Sequence, residues 1–339
     1  MKAFVYENPM TMPLREVPLP EVGERDVRIA VKAVGICGSD VHGFRGTTGR
    51  RKPPIIMGHE FSGVVDAVGE KVTRWKKGDR VLANPLMTCG LCENCRKGFP
   101  NVCSNRHGLG VDLDGAYAEY VKVREDMVFA LPESLTFEEG AMVEPLGVAM
   151  HAVNRTPLLL CESLVIIGAG TIGLLTLLSA RLKGAGKIIM IDTDDDRLAF
   201  AKKLGADEIV NSKTTDPLEF VKSATNGRGA DGVIEAVGIS PTAALSLQIA
   251  ANGAHVTWIG NSQPMVEINM QQIVTRELTV SGSYGFISEF ETAIEAIRSG
   301  RIKPMVLVEQ VAKLEDVGRL IEDLSAGKIN PVKVMIKLD

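Results

Sequence analysis

Short apolar runs separated by turn residues occupy the first 150 residues of the chain. Examples are VRIAVKAVGI, FSGVVDAVG and DRVLANP, which are rich in β-branched residues and are bounded by glycine, proline and other turn formers. Runs of this length and spacing are typical of irregular, mostly antiparallel β structure. We therefore expect a mostly β domain at the N-terminal end.

The pattern changes near Ser163. From there apolar runs alternate with helix-like stretches, and the predicted strands are SLVIIGAG, KIIMID, DEIV, DGVIEAVG, AHVTWIG and LTVSGS. Such alternation indicates βαβ units and a parallel sheet covered by helices on both faces. After Gly285 the pattern predicts a helix at SEFETAIEAIRSG, a strand at MVLVEQV, a helix at LEDVGRLIEDLSAG and a strand at VKVMIKL. Spacing alone does not decide which domain this tail completes.

Composition limits the classes of partner. The 339 residues, 45% of them apolar, can bury two hydrophobic cores. With 38 Lys plus Arg against 42 Asp plus Glu, the net charge is −4 and no long run of either sign occurs, which argues against nucleic acid or an anionic membrane as partner. The start, MKAFVYENPM, lacks the apolar segment of a secretory signal, so we expect a reducing cytoplasm and no disulfides.

One uncharged stretch, Ser163 to Ala180, approaches the length of a membrane span. Its central glycines would weaken a spanning helix but suit a strand, a tight turn and a second element. We therefore interpret the stretch as part of the α/β domain rather than as a transmembrane segment.

The same stretch contains Gly168, Gly170 and Gly173 in a GxGxxG pattern between a predicted strand and a predicted helix. The first glycine makes the tight turn, the second lets a pyrophosphate approach the backbone, and the third lets helix and strand pack closely. Because the helix N-terminus then faces the anion, this context predicts a dinucleotide site.

Asp192 ends the next strand, close to the position about 20 residues downstream that binds the adenosine ribose. An acid there favours NAD over NADP, because it accepts hydrogen bonds from the ribose diol and repels a 2′-phosphate. Arg197 argues for NADP, because an arginine near this site can favour a phosphate. Asp192 could also merely start the turn toward the next helix. That explanation suits the following acids better, because they can cap or flank the N-terminus of this helix; they are Asp194, Asp195 and Asp196.

Four of the six cysteines form a C-x2-C-x2-C-x7-C cluster: Cys89, Cys92, Cys95 and Cys103. Four thiolates so close in sequence can surround one tetrahedral ion, and a closed all-sulfur site most often holds Zn²⁺. An iron–sulfur cluster is the alternative, but the bacterial ferredoxin pattern continues with x3 and a proline. We expect a structural zinc.

A second, open metal site is suggested by Cys37, His59 and Glu60, which offer a thiolate, an imidazole and a carboxylate. Taken singly, each has an ordinary interpretation. Cys37 could be a small buried residue, His59 a hydrogen-bonded loop residue and Glu60 a surface acid. Cys161 keeps the first of these interpretations, that of a small buried residue.

Together the motifs GICGSDVH, GHEFSGVV, CGLCENCRKGFPNVC, GAYAEY, VEPLGVAMHA and VIIGAGTIG resemble, in this order, the zinc-dependent medium-chain alcohol dehydrogenases. The sorbitol/polyol and threonine dehydrogenase branch is the most similar. The resemblance covers essentially the full chain. It implies a GroES-like, mostly β catalytic domain over 1–150, completed by 285–339, and a Rossmann domain with a doubly wound parallel sheet over 151–284.

The resemblance also implies residue roles. Cys37 and His59 are ligands of a catalytic zinc, with Glu60 or Glu144 as a further ligand. Ser39 takes the alcohol proton and His42 passes it toward solvent. The predicted NAD contacts beyond the three glycines are Ile172, Asp192, Arg197, Gly260 and Ser283.

The implied reaction moves a hydride from a secondary alcohol to NAD⁺, giving a ketone and NADH. Sorbitol dehydrogenases typically carry a Tyr directly after the His of SDVH and an Arg-Tyr pair after the sixth Rossmann strand; this chain has Gly43, Gly285 and Phe286 there. Sorbitol itself is therefore not the expected substrate. Other polyols, cyclitols, sugar alcohols and their phosphates, small diols and L-threonine remain open.

Two other protein classes are alternatives: a non-catalytic dinucleotide-binding protein, and an iron–sulfur redox protein. The first would lack turnover with any alcohol, and the second would contain iron. The family resemblance further implies a homodimer or homotetramer, with LTVSGS pairing across a dimer.

Overall fold

The computed structural model describes residues 1–47 and 49–339. The chain forms two compact units, Met1–Glu144 with Phe290–Asp339, and Pro145–Glu289. The first boundary between the units follows Glu144, six residues before the predicted 150/151 boundary. The second follows Glu289, five residues after the predicted 284/285 boundary.

The described residues form eighteen strands. In chain order they are β1 (Lys2–Tyr6), β2 (Leu14–Glu16), β3 (Asp26–Ile36), β4 (Ile55–Ile56), β5 (Glu60–Val68), β6 (Arg80–Ala83), β7 (Leu86–Met87), β8 (His107–Gly108), β9 (Tyr120–Arg124), β10 (Val128–Ala130), β11 (Leu164–Ile167), β12 (Ile188–Asp192), β13 (Glu208–Asn211), β14 (Ala230–Glu235), β15 (Ala250–Trp258), β16 (Thr279–Gly282), β17 (Val308–Lys313) and β18 (Lys333–Lys337).

Eleven α-helices occur in the same part of the chain. They are α1 (Gly38–Phe44), α2 (Glu93–Arg96), α3 (Phe137–Ala141), α4 (Val143–Arg155), α5 (Thr171–Lys183), α6 (Asp195–Lys203), α7 (Pro217–Ala224), α8 (Ser240–Gln248), α9 (Met270–Val274), α10 (Glu289–Arg298) and α11 (Val317–Ser325). None of them combines the length and apolar character that crossing a membrane requires.

The first unit is built around a seven-stranded sheet with the order β10-β6-β5-β3-β18-β17, in which β9 also pairs with β3. Strand β3 alternates half-buried and buried residues from Asp26 to Ala33, which is the pattern of a strand with one face on a core, and its last residues are all buried. All pairs are antiparallel except β17 with β18. The predicted mostly antiparallel β fold is therefore confirmed.

The C-terminal tail completes this sheet. Strand β18 pairs antiparallel with β3, with Val334 opposite Ile36, and Leu320 and Ile321 of α11 lie in the same apolar core as β3. The predicted strand MVLVEQV differs in detail, because its first residues belong to a 3₁₀ turn over Pro304–Leu307 and β17 begins only at Val308. Pro304 stands at the first position of this turn, where the missing N–H of proline costs no hydrogen bond.

The second unit contains a parallel sheet with the order β13-β12-β11-β14-β15-β16. All six strands were predicted from the apolar runs, and the doubly wound Rossmann fold is confirmed. The order reverses between β11 and β14, and ligands of such sheets bind outside the carboxyl ends of the strands at this point. The uncharged stretch from Ser163 to Ala180 is β11, a glycine turn and most of α5.

Candidate active site and metal centres

The four cysteines of the C-x2-C-x2-C-x7-C segment converge on one point. Their sulfur atoms lie within 4.8 Å of one another. The Cys92–Cys95 and Cys89–Cys103 sulfurs are 3.5 Å apart and the Cys92–Cys103 sulfurs 3.8 Å apart. Four sulfurs at about 2.3 Å from one zinc ion stand about 3.8 Å apart at the corners of a tetrahedron. The cluster therefore fits a closed zinc site, and it is much wider than a disulfide.

Local structure explains this convergence. The short helix α2 contains Cys95 and begins directly after Cys92, and a 3₁₀ turn at Pro100–Val102 brings Cys103 back to them. Backbone N–H groups of Leu91 and Cys92 donate to the Cys89 sulfur at 3.4 and 3.3 Å. The N–H groups of Cys95 and Ser104 lower the pKa of the Cys92 thiol to about 6. Such donors favour thiolates, the form that binds metal.

A second cluster lies in the first unit at one end of strands β3 and β5. Gly35 of β3 stands opposite Glu60 of β5, so this register brings Cys37, just after β3, close to His59, just before β5. The sulfur, imidazole and carboxylate of Cys37, His59 and Glu60 offer ligand atoms within 4.8 Å of one another. One thiolate, one imidazole and one carboxylate are the donor set of an open zinc site, which keeps a fourth position for substrate.

Glu144 lies outside this three-residue cluster among the residues that the structure describes. Its carboxyl is nevertheless close enough to be affected by the same groups. Burial raises the pKa of Glu144 to about 7, and the Glu60 charge adds to this while His59 opposes it. The geometry thus groups Glu60, rather than Glu144, with Cys37 and His59.

The Glu60 carboxylate forms an ion pair with Lys333, whose side chain is 1% exposed. Lys333 begins β18, and its ammonium also donates to the carbonyl of Ile36 at 3.1 Å. Burial alone would lower the pKa of Lys333, but the Glu60 and Cys37 charges outweigh burial and raise it. A side chain at Gly35 would overlap this pair, because its Cβ would stand 2.3 Å from the Glu60 Oε2 atom.

His59 lies beside a buried carboxylate. Its Nδ1 atom is 3.4 Å from the Oδ1 atom of Asp40, but the two are not aligned, so Nδ1 has no hydrogen-bond partner among the described residues. Metal-binding histidines commonly present one ring nitrogen to a carboxylate and the other to the ion. This orphaned buried atom next to Asp40 therefore fits a histidine that presents Nε2 to a metal.

Several of these groups were missed in the sequence. Asp40 and Tyr117 fall inside the motifs GICGSDVH and GAYAEY but were not singled out. Arg51, which like Tyr117 donates to the Asp40 carboxylate, and Lys333 lie in none of the quoted motifs. Cys161, expected to be a small buried residue, is exposed instead; it lies in a turn before β11, where its backbone is left-handed with φ of 66°.

Ser39 and His42 both lie on α1, directly after Cys37. They are three residues apart, so they lie on the same side of the helix. Ser39 is exposed and His42 is half-buried. Burial lowers the pKa of His42, and the charges of Arg45 and Arg51 lower it further.

In the second unit, the glycine motif joins β11 to α5. Gly168 has φ of 101°, a region that favours glycine, and a Cβ at Gly173 would stand 1.8 Å from the Gly168 carbonyl oxygen. Gly170 differs, because a Cβ there would meet only Arg197 Nη1 at 3.7 Å. The fold itself thus does not require glycine at position 170, and the open space fits the close approach of a pyrophosphate. Ile172 follows, half-buried, in the first turn of α5.

Asp192 ends β12 and contacts the glycine turn. One carboxylate oxygen accepts from the N–H of Ala169 at 2.5 Å, and the other accepts from Thr193 and Asp194 at 2.6 and 3.0 Å. Asp194 caps α6 by accepting from the N–H groups of Asp196 and Arg197. Asp192 therefore links the glycine turn to the loop that follows β12. Of the acids that the sequence offered as caps of the next helix, Asp194 is the N-cap residue.

Gly260 and Ser283 follow the neighbouring strands β15 and β16. A Cβ at Gly260 would stand 2.1 Å from the Gly238 nitrogen and 2.5 Å from the Glu235 carboxylate, so the two loops are in close contact. The Ser283 hydroxyl is buried, with no partner in the part of the chain that the structure describes. An unpaired buried hydroxyl at the carboxyl ends of the strands fits contact with a bound cofactor.

Comparisons with known proteins agree with this geometry. Residues 23–133 match the family model "Alcohol dehydrogenase GroES-like domain", and residues 171–299 match "Zinc-binding dehydrogenase". The chain is 36% identical to sorbitol dehydrogenase of Bacillus subtilis over 99% of this chain and 97% of that protein. It is 39% identical to L-threonine 3-dehydrogenase of Symbiobacterium thermophilum over 93% and 92%.

Among solved structures, galactitol-1-phosphate dehydrogenase of Escherichia coli is similar with a TM-score of 0.93 and 32% identity, over 100% of both chains. Similarity of this extent covers both units, and with them the zinc-fitting clusters and the glycine turn. The chain belongs to the zinc-dependent medium-chain alcohol dehydrogenase family, within its polyol and threonine dehydrogenase branch.

Proposed function

We propose that this protein oxidises a secondary alcohol group of a polyol-like substrate to a ketone and transfers the hydride to NAD⁺. The observation that carries the proposal is the cluster of Cys37, His59 and Glu60 directly before and beside helix α1. A bound zinc ion there supplies a Lewis acid for the substrate hydroxyl, and a bound nicotinamide supplies the hydride acceptor.

The side chains then have distinct tasks. Cys37, His59 and Glu60 would hold the ion, with Glu144 as the alternative carboxylate. Lys333 balances the charge of Glu60, which limits the negative charge of the ligand set. Ser39 accepts the proton of the substrate hydroxyl and His42 receives it from Ser39, because both lie on the same side of α1.

His42 serves as a proton acceptor only when its imidazole is neutral. Because burial and the charges of Arg45 and Arg51 lower its pKa, the neutral form persists to lower pH than for an ordinary histidine. Replacing Arg45 by alanine removes one of these charges, so the His42 pKa should rise. The acidic limb of the kcat/KM profile should then move to higher pH.

The matched control is Arg45→Lys, which keeps the charge and should leave the limb near its wild-type position. An acidic limb that does not move in Arg45→Ala would exclude His42 as the group that titrates. The measurement is the initial rate of NADH formation across pH for the three proteins.

The proposed cofactor site consists of the glycine turn, with Gly168, Gly170 and Gly173, and residues at the carboxyl ends of the strands. Asp192 would accept hydrogen bonds from the ribose diol. Arg197 would lie against the adenosine side of the turn, since its Nη1 atom is 3.7 Å from the position that a Cβ on Gly170 would take. Ile172, Gly260 and Ser283 would line the remainder. This set favours NAD over NADP because a carboxylate repels a 2′-phosphate.

The substrate class follows from the branch and from what the chain lacks. Gly43, Gly285 and Phe286 replace the groups that sorbitol dehydrogenases typically carry, so we expect turnover with another polyol, cyclitol, sugar alcohol or small diol. L-threonine and polyol phosphates are the alternatives. A panel of alcohols, each assayed by NADH absorbance with NAD⁺ and NADP⁺, should show NAD-dependent turnover of at least one polyol and little turnover of sorbitol. No turnover of any alcohol would contradict the proposal.

Assembly and location are proposed on separate grounds. Strand β16 is the edge of its sheet, and an unpaired edge can extend a sheet across a two-fold axis. We propose a homodimer or homotetramer formed there, which sedimentation would test.

We place the protein in the cytoplasm, because four thiols that hold zinc must stay reduced. Cell fractionation followed by the NADH assay is the test.

A further inference from the structure

Arg51 is a buried arginine whose guanidinium joins two segments of the first unit. Its side chain is 3% exposed. The Nε atom donates to the carbonyl of Gly110 at 2.8 Å, Nη1 to the carbonyl of Ser39 at 2.8 Å, and Nη2 to Oδ1 of Asp40 at 2.7 Å. All three nitrogens are thus satisfied, and two of the bonds end on the first turn of α1.

Asp40 extends these contacts to the proposed metal ligands. Its Oδ1 atom accepts from Arg51 and lies 3.4 Å from His59 Nδ1. Its Oδ2 atom accepts from the Tyr117 hydroxyl at 2.7 Å and from the N–H of Cys37 at 3.3 Å. One carboxylate therefore contacts the ring of His59 and the backbone of Cys37.

This carboxylate is fully buried, so it needs compensating charge. Arg51, Tyr117 and the Cys37 N–H each donate a hydrogen bond to this carboxylate, which offsets the cost of burying it. Arg51 is the cation that forms a buried ion pair with Asp40. Without it, Asp40 would keep its orientation only through Tyr117 and the Cys37 backbone.

Gly43 provides the space for this arginine. A Cβ at position 43 would stand 2.3 Å from Nη1 of Arg51 and 2.7 Å from its Cδ atom. The backbone of Gly43 is helical, so the glycine is explained by the packed guanidinium and not by its conformation. Any side chain at position 43 must push Arg51 away from its three partners.

We propose that Arg51 is a positioning residue for the reaction. Through Asp40 it orients the ring of His59, and through the Ser39 carbonyl it holds the turn of α1 that carries the proton acceptor. The inference rests on the proposed function, because it takes Cys37 and His59 as zinc ligands.

The test compares Arg51→Met and Gly43→Ala with the wild type in the full-length, zinc-loaded protein. Two readouts are independent of turnover: the affinity of each zinc ion in competition with a chelator, and the visible absorption spectrum after Co²⁺ substitution. Changing the outer contacts that surround a metal-binding histidine typically costs about 10- to 100-fold in metal affinity or activity. We expect a loss of this size for one ion in Arg51→Met, with an altered Co²⁺ spectrum, and a smaller loss in Gly43→Ala.

Gly43→Ala separates positioning from folding, because alanine favours helices more than glycine does. A weaker zinc site in that variant cannot be attributed to a weaker helix, and the variant decides the question if Arg51→Met does not fold. The matched control is Arg80→Met, which removes a largely buried arginine that donates to the carbonyls of Glu133 and Leu135 in the same unit. It should leave both zinc affinities unchanged.

The outcomes separate the two proposals. If Cys37→Ser retains both zinc ions, the metal site is wrong and the role of Arg51 is wrong with it. If Cys37→Ser loses one ion, while the folded Arg51 and Gly43 variants bind zinc and turn over like the Arg80 control, then only the role of Arg51 is wrong.

Discussion

Replacing Cys37 by serine should abolish NADH formation while leaving NAD binding nearly intact. Cys37 is the only thiolate in the open three-residue cluster, so a hydroxyl there removes the strongest ligand from the proposed zinc site. Loss of a Lewis acid worth roughly 4 kcal/mol in the transition state reduces the rate by about a thousandfold. Cofactor binding should persist because the glycine turn belongs to the other unit.

The measurement combines NADH absorbance with the best alcohol of the panel, an NADH fluorescence titration and a zinc count. Cys161→Ser is the matched control, since it makes the same change at an exposed cysteine that is in neither cluster. We expect one zinc ion per chain in Cys37→Ser and two in the control. Turnover in Cys37→Ser equal to that of the control would disprove the assignment of the catalytic metal.

Replacing Cys95 by serine should instead damage structure before chemistry. Zinc bound by such closed sites contributes about 10 to 16 kcal/mol of apparent binding free energy in isolated zinc-finger peptides. The short segment from Cys89 to Cys103 contains little regular structure besides α2 and a 3₁₀ turn. We therefore expect a bound ion to supply most of the order of this segment, and losing one ligand should unfold it.

This prediction is measured by limited proteolysis, thermal unfolding and zinc content, followed by kcat per folded molecule. Cys95→Ser should lose one zinc ion, become sensitive to protease within this segment and unfold at a lower temperature, whereas Cys161→Ser should match the wild type. A Cys95→Ser protein that is fully stable but has lost hydride transfer would show that the two metal sites have been assigned in reverse.

Much of the fold was predictable because its signals are local. Each of the six Rossmann strands is a short apolar run, and the parallel sheet follows from their alternation with helices. The four cysteines lie within fifteen residues, so their spacing alone predicts one shared ion. The glycine motif likewise depends on one strand, one turn and one helix.

The surroundings of the open metal cluster were not predictable in this way. Tyr117 reaches Asp40 across 77 residues of sequence, and Lys333 reaches Glu60 across 273. A buried lysine in an apolar strand and an arginine in a polar loop carry no periodic signal. Their partners depend on which strands are neighbours and in which register, and β18 lies against β3 only in the folded chain.

The sequence by itself thus determined the two-part architecture, the closed cysteine site and the dinucleotide turn, because each depends on residues close together in the chain. Only the tertiary structure showed that Glu60 rather than Glu144 lies with Cys37 and His59, that Lys333 pairs with Glu60, and that Asp40, bonded to Arg51, lies beside His59. The physical reason is that charge compensation in a buried site depends on distances of a few ångströms between segments that only the folded sheet brings together.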